Sequence, residues 1–290
     1  MQFLLNGIIA GSIYALIALG FALIYRTVHF FHFAHGVVYT AGAYFAYTLT
    51  ITIGIHPIVS FFLAVILAGG TGWTINRLVY FPLRRQKASD LIFLLASFGI
   101  FIFLQNLIQL LYGAQILTLR RGPIVEGHHV LGAIITNTQI LILVTSILLS
   151  VALWLVVKHS KLGKSIRAVS DDPVAASIVG INPERVIGLS FFIGSMLAGA
   201  AGILISLETN LEPTMGFTAI LKGIIAAIIG GIGSIPGAVL GGYLLGIVEN
   251  LGIWKIQAGW KDAIAFGVLI VFLLVRPGGI MGIPTARERL

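Results

Sequence analysis

Long apolar runs separated by short polar breaks dominate this chain. Segments 3–25, 33–53, 57–79, 91–112, 139–157, 187–207, 216–231, 236–250 and 261–275 are each largely hydrophobic. Several approach the ~20 residues that an α-helix needs to cross a ~30 Å hydrocarbon core. The segments at 216–231 and 236–250 are shorter and rich in glycine, with a tight turn at Gly233-Ser234-Ile235-Pro236. They read either as two crossings or as a hairpin that stops partway. The pattern therefore predicts an all-α polytopic membrane protein with eight to ten membrane helical elements.

One polar interruption stands out. Residues 158–186 form a charged loop with helical patterning inside it. Leu162, Ile166 and Val169 recur at helical spacing, with Lys161, Lys164, Ser165 and Arg167 on the other faces. Asp172 before Pro173 reads as a helix cap followed by proline at the first helical position. Val174, Ile178 and Ile181 give a second stripe, and Gly180 loosens its end. Two short helices in series beneath the membrane are expected. Three readings fit them: a solvated basic loop that enforces topology, a helix seated in a groove of a partner domain, or a helix on the bilayer surface.

Composition sharpens the membrane reading. Of 290 residues, 58% are hydrophobic and only 10% charged, where a soluble domain carries about a quarter. The absence of cysteine excludes disulfides, iron–sulfur centres and thiol nucleophiles. Residues 1–25 lack a basic start and a cleavage site, so they read as a first span rather than a secretory signal. The longest polar loops, 113–138 and 158–186, are too short for an independent core. No GxxxxGK[ST] loop occurs, so ATP hydrolysis is not encoded here. HExxH and GxSxG motifs are absent as well, which argues against an intramembrane enzyme.

The net charge of +8 lies mostly in short loops and reports orientation more than nucleic-acid binding. Arg26, then Arg77, Arg84, Arg85 and Lys87, then Lys158, Lys161, Lys164 and Arg167, then Arg276, Arg287 and Arg289 fall on one side if there are nine crossings. That side is expected to be cytoplasmic, with the N-terminus outside and the C-terminus inside. Glu126, Glu208 and Glu212 fall outside, and Arg120 and Arg121 run against the rule.

Polar groups inside hydrocarbon mark helix contacts or a solute path. Gln105 and Asn106 sit in the fourth run and could pack or line a path. His29, His32 and His35 share a three-residue spacing, which is too little for a tetrahedral metal site without cysteine or carboxylates nearby. His35 and Gly36 are expected to start a helix near the cytoplasmic surface, continued by Tyr39, Thr40 and Tyr44 as a polar-aromatic strip. Lys222 could snorkel, form a structural pair, or touch a solute. Glu249 and Asn250 are expected at the membrane interface. Gly237 with Gly241, and Gly242 with Gly246, are small-xxx-small pairs suited to close helix packing.

Three segments carry a family resemblance. RAVSDDPVAASIVGIN (167–182), TVHFFHFAHGVVYTAGAY (27–44) and EPTMGFTAILKGIIAAIIGGIGSIPGAVLGGYLLGIVE (212–249) resemble the permeases of high-affinity branched-chain amino acid ABC importers. The likeness runs through essentially the whole chain, with His32 where the family commonly has Asn. It implies an ABC importer transmembrane domain, a single permease domain over 1–290 with a cytoplasmic coupling loop at 158–186, in the bacterial inner membrane. It further implies a pore shared with a second, related permease, two cytoplasmic ATPases that bind ATP and magnesium, and an extracytoplasmic substrate-binding protein. No cofactor is expected on this chain. The expected coupling residues are Lys164, Arg167, Asp171, Asp172, Ala175 and Gly180, with Arg167 and Asp171 facing the ATPase groove. The expected translocation path draws on His35, Tyr39, Thr40, Gln105, Asn106, Lys222 and Glu249. Urea or short-amide import, a passive channel, a gradient-driven carrier and a purely structural subunit are the competing readings.

Overall fold

Leucine, isoleucine, valine and alanine offer the backbone no competing hydrogen bond, and in hydrocarbon each N–H and C=O must pair within its own segment. The apolar runs accordingly fold as helices. The computed structural model describes residues 1–120, 127–130, 132–255 and 257–282. Its helices are α1 (Gln2–Val28), α2 (His35–Tyr47), α3 (Pro57–Ile75), α4 (Phe81–Arg85), α5 (Asp90–Tyr112) and α6 (Asn137–His159). They continue as α7 (Lys161–Asp171), α8 (Pro173–Ile178), α9 (Pro183–Glu208), α10 (Met215–Gly230), α11 (Ile235–Gly252) and α12 (Lys261–Val275). A π-helical turn at Asn76–Tyr80 joins α3 to α4, so Pro57–Arg85 is one continuous rod. The 113–138 connection contains a two-stranded antiparallel hairpin, β1 (His128–Val130) with β2 (Ala133–Ile135). Arg121, Glu126, Arg287 and Arg289 lie outside the described residues.

The expectation of eight to ten membrane elements is corrected here. Among the described residues, six helices are long and apolar enough to cross a membrane: Gln2–Val28, Pro57–Arg85, Asp90–Tyr112, Asn137–His159, Pro183–Glu208 and Ile235–Gly252. The runs at 216–231 and 261–275 yield helices of only 16 and 15 residues. At ~1.5 Å per residue these span roughly 22–24 Å, short of the ~30 Å core. Helix α2 runs on through a π-helical turn at Thr48–Thr52, but its histidine, tyrosines and threonines leave it too polar to face lipid, and all but two of the residues of α2 itself are enclosed by other helices. A helix surrounded by protein can end without exposing its last carbonyls to lipid. The small hairpin also makes the chain mostly helical rather than all-α.

The bundle has an inside and a rim. Most of α1 and α9 is buried, whereas most of α5 and α6 is not. Leu110, Leu111 and Leu148 project from the rim as apolar surface suited to lipid. Helix α1 packs on α9, α10 and α11, and α9 also packs on α2 and α3. The predicted glycine pairs serve two different neighbours. A side chain added at Gly237 or Gly241 would strike the α10 backbone at Gly230 or Ala226, and one at Gly242 or Gly246 would strike α1 at Ala15 or Gly11. One helix thus carries two close-packing stripes.

Candidate functional site

The two short helices of the polar loop form as the pattern predicts. Ser160 caps α7 by accepting from the Gly163 N–H at 3.0 Å. Asp172 caps α8: its Oδ1 accepts from the N–H groups of Val174 at 2.7 Å and Ala175 at 3.0 Å, with Pro173 at the first position. Gly180 follows with φ 85°, a left-handed conformation that glycine adopts without a Cβ penalty. The chain then re-enters the bundle through α9, capped by Asn182.

The first apolar stripe faces the bundle; the second is exposed except at its end, where Ile181 packs on the core. Ile166 and Val169 are buried against the bundle, and Leu162 is partly so. Val174, Ile178 and Val179 are 68%, 81% and 74% exposed, and only Ala176 of α8 turns inward. Lys164, Asp171, Asp172, Ala175 and Gly180 are all exposed on this surface. Arg167 is not: it is half-buried, and its guanidinium donates to the Val157 carbonyl at the end of α6. It ties α7 back to the membrane helix that precedes it.

A second constellation lies inside the bundle, where the structure brings together Lys222 of α10 and Glu249 of α11. Lys222 Nζ donates to Glu249 Oε2 at 3.1 Å and to the Tyr14 hydroxyl of α1 at 3.2 Å. The Tyr14 hydroxyl in turn donates to Glu249 Oε2 at 2.9 Å. Asp262 of α12 pairs with Lys222 at 3.2 Å from the exposed side. Lys261 donates to Asn250 Oδ1 at 3.2 Å beside them. Glu249 and Asn250 lie in the last turn of α11 and are buried among the helices. Of the three options for Lys222, the ion pair is the one formed. Tyr14 and Asp262 were missed. The signal was the charge itself: a lysine within the bundle needs carboxylates, and Asp262 opens a later apolar run.

The other expected path residues do not all converge. His35 starts α2 as predicted and is fully buried, with its ring against Gly20. Its neighbour His32 bonds the Tyr80 hydroxyl through Nδ1 at 2.9 Å. Among the described residues no group of three histidine or acidic side chains could hold a metal. Tyr39 and Thr40 are buried on the same helix, Thr40 Oγ1 donating to the Gly36 carbonyl at 3.4 Å. Gln105 is half-buried on α5. Asn106 faces outward and donates to the Ile102 carbonyl one turn back at 2.8 Å.

At the far end of the bundle, Arg120 explains its own exception to the charge rule. Its Nη2 donates to the carbonyls of Leu207 at 3.2 Å and Glu208 at 2.8 Å, the last residues of α9. A cation there satisfies helix-end carbonyls and complements the helix dipole. Glu208 accepts from Gln139 Nε2 at 2.8 Å and is thus engaged within the chain.

A bundle of membrane helices with a capped, outward-facing apolar helix beneath it has the build of a transporter's membrane subunit. The family profile described as branched-chain amino acid transport system, permease component, matches residues 3–273. The chain belongs to this family. It is 38% identical to the high-affinity branched-chain amino acid transport system permease protein LivH of Escherichia coli, over 99% of this chain and 97% of that one. It is 39% identical to the corresponding BraD protein of Pseudomonas aeruginosa over the same shares. A probable LivH of Methanocaldococcus jannaschii is 29% identical, over 96% of this chain and 91% of its own length. Among solved structures, PsaBC from Streptococcus pneumoniae in complex with Fab aligns at TM-score 0.55 and 10% identity, covering 96% of this chain and 93% of that one. That likeness is one of fold alone.

Proposed function

We propose that this chain is a permease subunit of an ATP-driven importer that moves leucine, isoleucine and valine across the bacterial inner membrane. The observation that carries the reading is the match to branched-chain permeases over nearly the full length of both chains. As a multi-pass inner-membrane protein it forms the pore with a second, related permease. Two cytoplasmic ABC ATPases bind beneath, and a substrate-binding protein delivers the amino acid from outside. ATP and magnesium reside on the ATPases, and this chain converts their closure into alternating access.

Coupling falls to the loop at 158–186 within a single permease domain. Val174, Ile178 and Val179 fill the ATPase groove, with Lys164 and Asp171 at its edge. Asp172 holds the start of α8, Ala175 permits close approach, and Gly180 turns the chain back to the bundle. Arg167 acts from behind, fastening α7 to α6 so that motion of α8 reaches the membrane. This face is cytoplasmic, as is the C-terminus, in keeping with Arg77, Arg84, Arg85, Lys158 and Arg276 on the same side.

The path runs beside α2, past His35, Tyr39 and Thr40, with Gln105 at its flank. Lys222 and Glu249 lie towards its outer end. Glu249 Oε1 has no hydrogen-bond partner among the described residues, which leaves an acceptor for the ammonium of a zwitterion. Asn106 belongs to the outward surface of α5 that a second permease would cover.

The test is uptake into liposomes holding the complete complex, comparing leucine, isoleucine, valine and urea with and without ATP. ATP-dependent uptake of a branched-chain amino acid is expected. Uptake that ignores ATP would overturn the importer reading, and uptake of urea alone would replace the cargo.

A further inference from the structure

Where α3 meets its π-helical turn, the bundle leaves a cavity of about 440 Å³ against the start of α9. Its lining includes Trp73, Asn76, Arg77, Asn182, Arg185 and Leu189. We infer that this cavity binds the phosphate headgroup of an anionic phospholipid. The recognised chemistry is a phosphate ester; inorganic phosphate shares it, and the lipid is favoured by where the cavity opens.

Charge comes first. Glu184 also lines the cavity, but Arg84 holds its carboxylate through two bonds, at 2.6 and 3.2 Å. Arg84 is itself steered by Asn76 Oδ1 at 2.9 Å. None of the ion pairs among the described residues uses Arg77 or Arg185. Two guanidinium groups therefore border the space without an anion, and guanidinium matches phosphate oxygens bidentately. The start of the 26-residue α9 adds the positive end of a long helix dipole to the same space.

Position is the second argument. The exposed apolar surface of α3, including Leu67 and Trp73, gives way here to Arg77, Arg84, Arg85 and Lys87. Trp73 and Leu189 line the cavity and are exposed, offering apolar contact to an acyl chain. The Arg77 guanidinium lies over the Phe81 ring at 4.6 Å, which holds it at the rim. A polar floor under an apolar border at a membrane–water boundary suits a lipid better than a solute from bulk water. Basic pockets between membrane helices recognise anionic headgroups by this chemistry.

The experiment uses the complex purified from membranes in detergent and reads bound lipid by native mass spectrometry. The wild type should retain phosphatidylglycerol or cardiolipin in preference to phosphatidylcholine. The double substitution Arg77→Ala/Arg185→Ala should weaken that retention roughly 30-fold, the combined scale of two basic side chains near an anionic lipid. Arg77→Lys/Arg185→Lys should keep most of it, and Lys87→Ala, an exposed cation in the same loop, should leave it unchanged. Equal retention by wild type and the double alanine variant would overturn the site. Inorganic phosphate binding as tightly as lipid would assign the cavity to free phosphate and overturn the lipid source. Loss of co-purifying ATPase with unaltered lipid would instead make the cavity a protein contact. None of these readouts uses transport, so their failure is separable from failure of the importer reading.

Discussion

The cluster around Lys222 and the exposed face of α8 invert the usual placement of charge and apolar surface. In the cluster, a lysine and a glutamate lie within the bundle, joined to each other and to Tyr14. On α8 and the residue just after it, three aliphatic side chains stand out in the open. The cluster draws its partners from four helices of this one chain, so it holds α1, α10, α11 and α12 together without help. Among the described residues, the aliphatic face of α8 has no such partner. Local bonding thus separates a part of the molecule held together by its own residues from a part shaped for something else.

The sharpest way to break this contrast is to remove one member of the buried pair. Glu249→Ala leaves Lys222 with the neutral Tyr14 hydroxyl and the exposed Asp262, and should destabilise the folded protein by about 3–5 kcal/mol. Thermal or denaturant unfolding in detergent would register this. Glu249→Leu combined with Lys222→Met should recover most of the loss, and an equally severe double variant would show that the pair does more than hold helices. The next largest effect belongs to α8. Ile178→Asp should weaken ATPase association by on the order of 2 kcal/mol, the scale of an apolar anchor lost from an interface, with stability unchanged. Co-purification of the ATPases at wild-type yield would count against the docking role.

Two smaller effects sharpen the picture. Arg167→Met removes a charged donor from the Val157 carbonyl, and should cost about 1.5–3 kcal/mol of local stability. Hydrogen exchange should show it as faster opening at the end of α6. Asp172→Ala removes the cap of α8 and should cost about 1 kcal/mol. Asp172→Asn, which keeps an accepting oxygen, should restore most of the exchange protection. Without that rescue, the residue's role is not capping.

Much of the cytoplasmic architecture was legible from local rules. Asp172, Pro173 and the residues after them announce a capped helix whatever surrounds it. The direction of each stripe was not legible, because Leu162, Ile166 and Val169 share a spacing with Val174, Ile178 and Ile181, yet the first set packs inward while Val174 and Ile178 of the second stand exposed and Ile181 packs on the core. Periodicity reports that a face exists; only the tertiary fold says what meets it. The same limit explains the overcounted membrane elements. Hydropathy gives α10 the look of a span, but a helix largely enclosed by other helices needs no lipid-matched length. Lys222 was recognised as costly, while its partner Tyr14 lies 208 positions away, and nothing local pairs them. Arg120 looked like a breach of the charge rule because the carbonyls it serves are 87 and 88 positions distant.

Helix α1 has a mechanical consequence. At one end the Gln2 side chain is bonded to the backbone of Ile134, accepting from its N–H at 2.8 Å and donating to its carbonyl at 3.1 Å. Towards the other end the same helix touches α7. Between them run 27 residues without a break, ~40 Å of stiff backbone. The consequence is one of reach: a single unbroken strut spans from α7 to the hairpin at the opposite end, with no interruption of its backbone along the way.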